Sequence, residues 1–255
     1  MKLRLLPGLL ALCLASGFFS TSLRADLPDP ATKDKVPSIA YVQAMIWKRL
    51  DLADFTLTGT VKCLKTKKNY PITLRTKGHE LVYEFKDQPL QIRVQLDPGQ
   101  FTVQKRASSS AAWAPVSAAE VSHPILDTDI TYEDLGIDFV NWDNIQPLGT
   151  DSIKTLDAYV FEAKPGPSDH SRFSSVRFWV SKQYWAFLRI DGTNAKGQTI
   201  KRVEVQDVMQ VGEVHKYFVF KEMKVSNMVP DKNDIAASTT LIDIDGGTEG
   251  SGLTQ

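Results

Sequence analysis

From Phe55 the apolar residues recur at every second position, and this rhythm, with interruptions, runs almost to the end of the chain. Phe55, Leu57, Gly59, Val61 and Cys63 alternate with Thr56, Thr58, Thr60 and Lys62. Alternation sends successive side chains to opposite faces of a strand, so one set is buried and the other wetted. Tyr70, Ile72 and Leu74 continue it, then Leu81, Tyr83 and Phe85, then Ile92, Val94 and Leu96, then Phe101 and Val103. Lys77-Gly78 and Asp97-Pro98-Gly99 punctuate these runs as tight turns, which makes neighbouring strands antiparallel. The rhythm breaks over 104–124, a stretch of small residues read as a loop with one helical turn. It resumes near Ala158 with Tyr159 and Phe161, and passes through Val176–Val180, Trp185–Ile190 and Ile200–Gln206. Val208-Met209 with His215–Lys224 suggest a further pair, and Thr239–Ile244 a last strand.

Helical signals are few. Ile39, Val42, Ile46, Trp47 and Leu50 recur at helical spacing through 38–50, and Pro37 before them can serve as the first residue of a helix. Thr131 and Asp134 form a capping box with Asp in the place of the usual Glu or Gln. Leu135, Phe139 and Trp142 follow at i, i+4 and i+7, which predicts a helix over 131–143. About ten strands therefore have only two short helices to cover them. A sheet that wide curls, splits or closes. In its second half both faces are apolar, because Phe178 and Trp179, like Phe187 and Leu188, point opposite ways. The expected fold is mainly β: one strongly curved antiparallel sheet, a half-open barrel, with two or three short helices in or over its concave face. A two-sheet sandwich is the alternative.

The chain of 255 residues begins with Lys2 and Arg4, an apolar run from Leu5 to Phe19, and a polar stretch ending in the small Ala25. This is the plan of a secretory signal, cleaved after Ala25, and it implies a periplasmic protein with no transmembrane span. Lipid attachment at Cys13 is the weaker reading, since bulky Leu12 precedes it and the apolar run continues past it. Removal of the signal leaves 27 basic against 30 acidic residues. That balance lacks the basic excess nucleic acid requires. The expected division is a signal over 1–25, an extended Pro-rich leader over 26–37, one β domain over 38–245 and a disordered tail over 246–255.

No catalytic constellation emerges. His79, His123, His170 and His215 are scattered, and no HExxH or CxxC pair supports a metal. Ser168-Asp169-His170 lie consecutively in a polar loop, where three neighbours do not converge on one substrate atom. Asp231-Lys232-Asn233-Asp234 starts like a calcium loop but has Ala236 where Gly is needed and Ile242 where Glu is needed. No enzyme activity, metal or cofactor is expected.

The run Leu126-Asp127-Thr128-Asp129-Ile130-Thr131-Tyr132-Glu133-Asp134-Leu135 resembles the D-[FI]-[ST]-Y-E-D-L segment of outer-membrane lipoprotein-sorting-like proteins. Val176–Ser181, Tyr184–Arg189 and Thr239-Thr240-Leu241 resemble later strands of that family, so the likeness spans roughly 39–245 by order of elements. It implies a LolA/LolB-like fold, a half-open barrel whose apolar cavity carries lipoprotein acyl chains. The expected partner is then an acyl chain or lipoprotein, with a further envelope protein as a possible partner. The cavity residues expected are Phe55, Leu57, Tyr83, Phe85, Ile92, Val94, Phe178 and Phe187, with Phe139 and Trp142 lying over them as a lid. Two rivals remain open: an envelope interaction module whose core is filled by its own side chains, and a hydrolase with a site assembled across loops.

Overall fold

The computed structural model describes residues 36–250 except 51, 98, 99, 168, 170, 213–216 and 233. The signal, its cleavage site, Cys13, nearly all of the leader, His170, His215 and the last five residues lie outside the described residues.

The first element is α1, Ile39–Arg49. Ser38 caps it, its side chain accepting from the Tyr41 N–H at 3.3 Å. Pro37 therefore precedes the cap and is not the first helical residue. Lys48 and Arg49 sit in the last turn, where the helix dipole favours positive charge. The predicted stripe points inward: Val42, Ile46 and Leu50 are buried.

Among the described residues thirteen strands follow and form a single antiparallel sheet. Its first half is a meander of β1 (Leu52–Cys63), β2 (Asn69–Gly78), β3 (Glu80–Phe85), β4 (Leu90–Asp97), β5 (Gln100–Arg106) and the short β6 (Ala114–Pro115). Its second half comprises β7 (Asn144–Ile153), β8 (Leu156–Lys164), β9 (Ser175–Ser181), β10 (Phe187–Thr193), β11 (Thr199–Val211), β12 (Tyr217–Met228) and β13 (Ala236–Glu249). The first strand pairs with the last, so the order is β6-β5-β4-β3-β2-β1-β13-β12-β11-β10-β9-β8-β7, with β6 and β7 as open edges.

This topology has a mechanical consequence. The chain leaves the sheet at one edge and re-enters at the other, so residues 116–143 must cross from β6 to β7. The sheet is also curled. Phe101 on β5 and Val176 on β9 line one cavity, although nine strand spacings separate β5 from β9. In a flat sheet those spacings would hold them about 43 Å apart. The concave side carries the main core, which runs from Ile46 and Phe55 through Leu74, Tyr83 and Ile92 to Phe161, Phe178 and Phe187. The opposite face carries a second cluster of Ala158, Val160, Trp179 and Leu188. The two-faced apolarity read from Phe178-Trp179 and Phe187-Leu188 is thus present.

Several expectations are corrected. Among the described residues there is one α-helix, not two or three. Residues 131–143 are two 3-10 turns, Glu133–Leu135 and Asp138–Val140, separated by Gly136 in an extended conformation. The Gly- and Thr-rich stretch 246–249 is not a disordered tail: β13 continues through it, with Gly246, Gly247 and Thr248 paired to Thr58, Leu57 and Thr56. Composition there suggested disorder, but β1 supplies hydrogen-bond partners that composition does not reveal. The loop predicted over 104–124 contains the end of β5 and all of β6. Strand β7 was not predicted. It is an edge strand with most residues exposed, and Pro147 and Gly149 lie within it, so it has no buried alternation to read. The two segments Ile200–Gln206 and Val208-Met209 are one strand, β11, which shifts register near Asp207.

Candidate ligand cavity

The crossing segment is anchored to the sheet by its carboxylates. Lys68, just before β2, and Tyr70 of β2 hold Asp127. Asp129 accepts from Asn227 Nδ2 at 2.7 Å, from Thr240 Oγ1 at 2.9 Å and from Ser238 Oγ, so it is bound by β12 and β13. Thr131 and Asp134 make the predicted reciprocal box: Thr131 N–H donates to Asp134 Oδ2 at 2.8 Å, and Asp134 N–H donates to Thr131 Oγ1 at 3.3 Å. Glu133 accepts from Ser171 Oγ at 2.6 Å and lies 3.1 Å from Arg172 Nε. Asp134 is fully enclosed. Its Oδ2 is 2.9 Å from Lys201 Nζ on β11, and Arg172 Nη2 donates to its Oδ1 at 2.9 Å. Burial pushes this carboxyl up, but the Lys201 and Arg172 charges outweigh burial and hold it below its ordinary value. The segment that carries the family resemblance is therefore a strap, tied to the rest of the fold through Asp127, Asp129, Glu133 and Asp134, the last two sharing Arg172.

Between strap and sheet lies a cavity of about 440 Å³. The sheet contributes Phe101, Val176, Ile190, Val203 and Lys201; the strap contributes Glu133, Asp134, Gly136, Asp138, Phe139 and Trp142; the loop before β9 contributes Asp169, Ser171 and Phe173. Two glycines let aromatic rings close its walls. A Cβ on Gly136 would sit 2.4 Å from the Phe101 ring, and a Cβ on Gly192 would sit 2.4 Å from the Phe173 ring. Asp138 meets solvent through the cavity it borders, with protein packed around its other sides. The desolvation by that surrounding protein, then the neighbouring Asp169 and Glu133 charges, push it up to about 7.

All ten residues expected in the cavity fall into one apolar cluster. Phe139 and Trp142 line the open space. The other eight do not border it. Phe55, Leu57, Tyr83, Phe85, Ile92, Val94, Phe178 and Phe187 are at most 5 % exposed and form the packed floor around it. Phe139 joins the two groups, its ring centroid 5.1 Å from that of Phe178 and 5.7 Å from that of Phe187. Phe101, Phe173, Ile190, Val203 and Lys201 were missed as lining residues. Phe101 and Ile190 fitted ordinary strand alternation, and nothing local distinguishes a wall residue from a floor residue.

A family model described as an uncharacterized protein matches residues 109–245, more than half of the chain. The chain belongs to that family. The matched span of this family member contains the whole strap and strands β7 to β12. No curated protein matches the chain. Among solved structures, a DUF1329 family protein from Desulfovibrio piger superposes with a TM-score of 0.64 at 14 % identity, covering 86 % of this chain and 96 % of that one. A domain described as outer membrane lipoprotein-sorting, from Vibrio parahaemolyticus, gives 0.65 at 16 %, covering 84 % and 93 %. A LolA superfamily protein from Nitrosomonas europaea gives 0.56 at 11 %, covering 84 % and 94 %. At these identities the likeness concerns the fold: this family member has the LolA-like architecture that the 126–135 segment suggested.

Proposed function

We propose that the protein is a non-enzymatic carrier or binding protein of the cell envelope that takes the apolar chain of an amphiphile, such as the acyl chain of a lipid or lipoprotein, beneath the strap. The observation that carries this reading is the cavity of about 440 Å³ between a curled sheet and a crossing segment, walled by aromatic and branched side chains. Its size falls within the range of small-molecule sites. Each methylene buried there contributes about 0.8 kcal/mol. Ordering of the chain offsets part of that gain, which suits a carrier that must release its load. The lipoprotein-sorting and LolA relatives among similar folds agree with this reading. Export through the segment 1–25 would place the protein in the periplasm, with the chain from 38 onward acting as one domain. Glu133 and Asp134 are already engaged by Ser171, Arg172 and Lys201, so they act as anchors and not as a catalytic pair.

The test is titration with a fluorescent acyl probe carrying an uncharged head. Saturable binding is expected in the wild type. A Val121→Trp variant, which adds bulk at the cavity wall, should weaken it at least tenfold while leaving the thermal midpoint within a few degrees. A second reading, an interaction module with a self-filled core, draws on the close packing of the eight floor residues. Absence of saturable binding up to about 100 μM, or −5.5 kcal/mol, would reject the carrier and favour that module.

A further inference from the structure

The cavity's apolar walls say what the chain of a ligand meets, and its polar groups say what the head meets. Among the described residues four carboxylates line it, Glu133, Asp134, Asp138 and Asp169. Among the same residues one cation lines it, Lys201, and an ammonium has three donors. All three are engaged: Asp134 Oδ2 at 2.9 Å, Asn227 Oδ1 at 3.1 Å and the Asp129 carbonyl oxygen. The Arg172 guanidinium behind the strap is turned to Glu133 and Asp134. An anionic head entering the cavity therefore finds no free cation among the described residues. It meets Asp138 and Asp169, for which no pairing cation occurs among those residues. A cationic head would meet the reverse: Asp138 is accessible, borders the cavity, and is raised toward neutrality by burial and by Asp169 and Glu133. A positive charge placed there relieves that repulsion.

We propose that the cavity selects amphiphiles whose apolar chain ends in a cationic amine, with Asp138 receiving the ammonium while the chain lies against Phe139, Trp142 and Phe173. This rests on the carrier reading and names the ligand class for the same site. The apolar walls establish the site; the carboxylates decide only which head it accepts. Binding should also depend on pH. The groups facing Asp138 are Glu133 and Asp169, with Asp134 neutralised by Lys201 and Arg172. A long-chain amine stays protonated from pH 5 to 8, whereas Asp138 loses its proton near 7. Amine affinity should therefore rise with pH as Asp138 ionises and level off once it is fully charged.

The experiment is calorimetric titration of the full mature chain with dodecylamine, dodecanol, dodecanoate and propylamine below their aggregation concentrations. The expected order at pH 7.5 is dodecylamine tightest, by at least about tenfold over dodecanoate, with dodecanol between and no measurable binding of propylamine. Asp138→Asn should bring dodecylamine to the level of dodecanol and flatten its pH profile, while dodecanol binding is retained, which shows the variant is folded. Asp87→Asn, an exposed carboxylate away from the cavity, should change neither. Dodecanoate binding as tightly as dodecylamine overturns the proposal and leaves the carrier standing. Propylamine matching dodecylamine, or a pH profile and amine preference unchanged in Asp138→Asn, also overturns it. Failure of all three long-chain probes overturns the carrier reading itself.

Discussion

Lys201 shows how much one side chain can organise in this fold. Its side chain is 4 % exposed, on a strand, beneath a segment distant in sequence. Such a charge is tolerated only where partners replace water, and Asp134, Asn227 and the Asp129 carbonyl do so. Removing Lys201 leaves the buried Asp134 with Arg172 as its one remaining cation among the described residues, and its Oδ2 without the charge that faced it. Lys201→Met should therefore cost about 3–5 kcal/mol at pH 7, read from chemical denaturation. Adding Asp134→Asn should recover part of that loss, because it removes a buried carboxylate that Arg172 alone would then have to balance. The pH dependence has a definite sign. Asp134 is held below its ordinary value in the folded state, so its contribution is full above the unfolded value of about 3.9 and is lost as pH falls through the folded value. The difference between wild type and Lys201→Met should thus be larger at pH 7 than at pH 2, because the carboxylate that Lys201 balances is protonated in acid. An unchanged difference at pH 2 would show that Asp134 is not the partner that matters.

At the scale of elements, the strap separates what is local from what is not. The box between Thr131 and Asp134 was legible because its two residues lie three apart and need only each other. The helix expected after it does not form. Gly136 is extended, at φ −99° and ψ 168°, and the Phe101 ring from β5 occupies the space above it. Two single 3-10 turns carry Leu135 and Phe139, Trp142 follows the second, and all three are buried in the main core, so the spacing correctly marked inward residues but not the conformation that delivers them. Trp142→Ala tests whether the strap is packed or merely tethered. A loss of roughly 3 kcal/mol is expected, the low end for a large aromatic, because Trp142 has the cavity on one side. An unmoved denaturation midpoint would mean that the carboxylate tethers alone hold the strap. Strand β7 is the opposite case: its main-chain pairing with β8 makes it a strand, while its exposed side chains carry no signal.

For the whole molecule, the amino-terminal run predicts an exported protein whose mature form begins Asp26-Leu27-Pro28. Edman sequencing of material recovered from an exporting host should return that terminus; a lipid-modified Cys13 would instead make it a membrane-anchored protein. The sequence by itself determined strands β1 to β5 of the first meander, the two apolar faces near Phe178-Trp179 and Phe187-Leu188, and a deficit of helix that forces a sheet to curl. These follow from period, turn residues and the cost of exposed apolar surface, all readable along one chain. Tertiary structure alone decided that β1 pairs with β13, which brings the chain's crossing segment from one edge to the other over the concave side. It alone also decided that Lys201 meets Asp134 and that Phe101 meets Gly136. The physical reason is that wall and floor residues obey the same alternation. Which of them borders empty space depends on how far the sheet curls and where the strap is tied, and both are set by contacts between residues far apart in sequence.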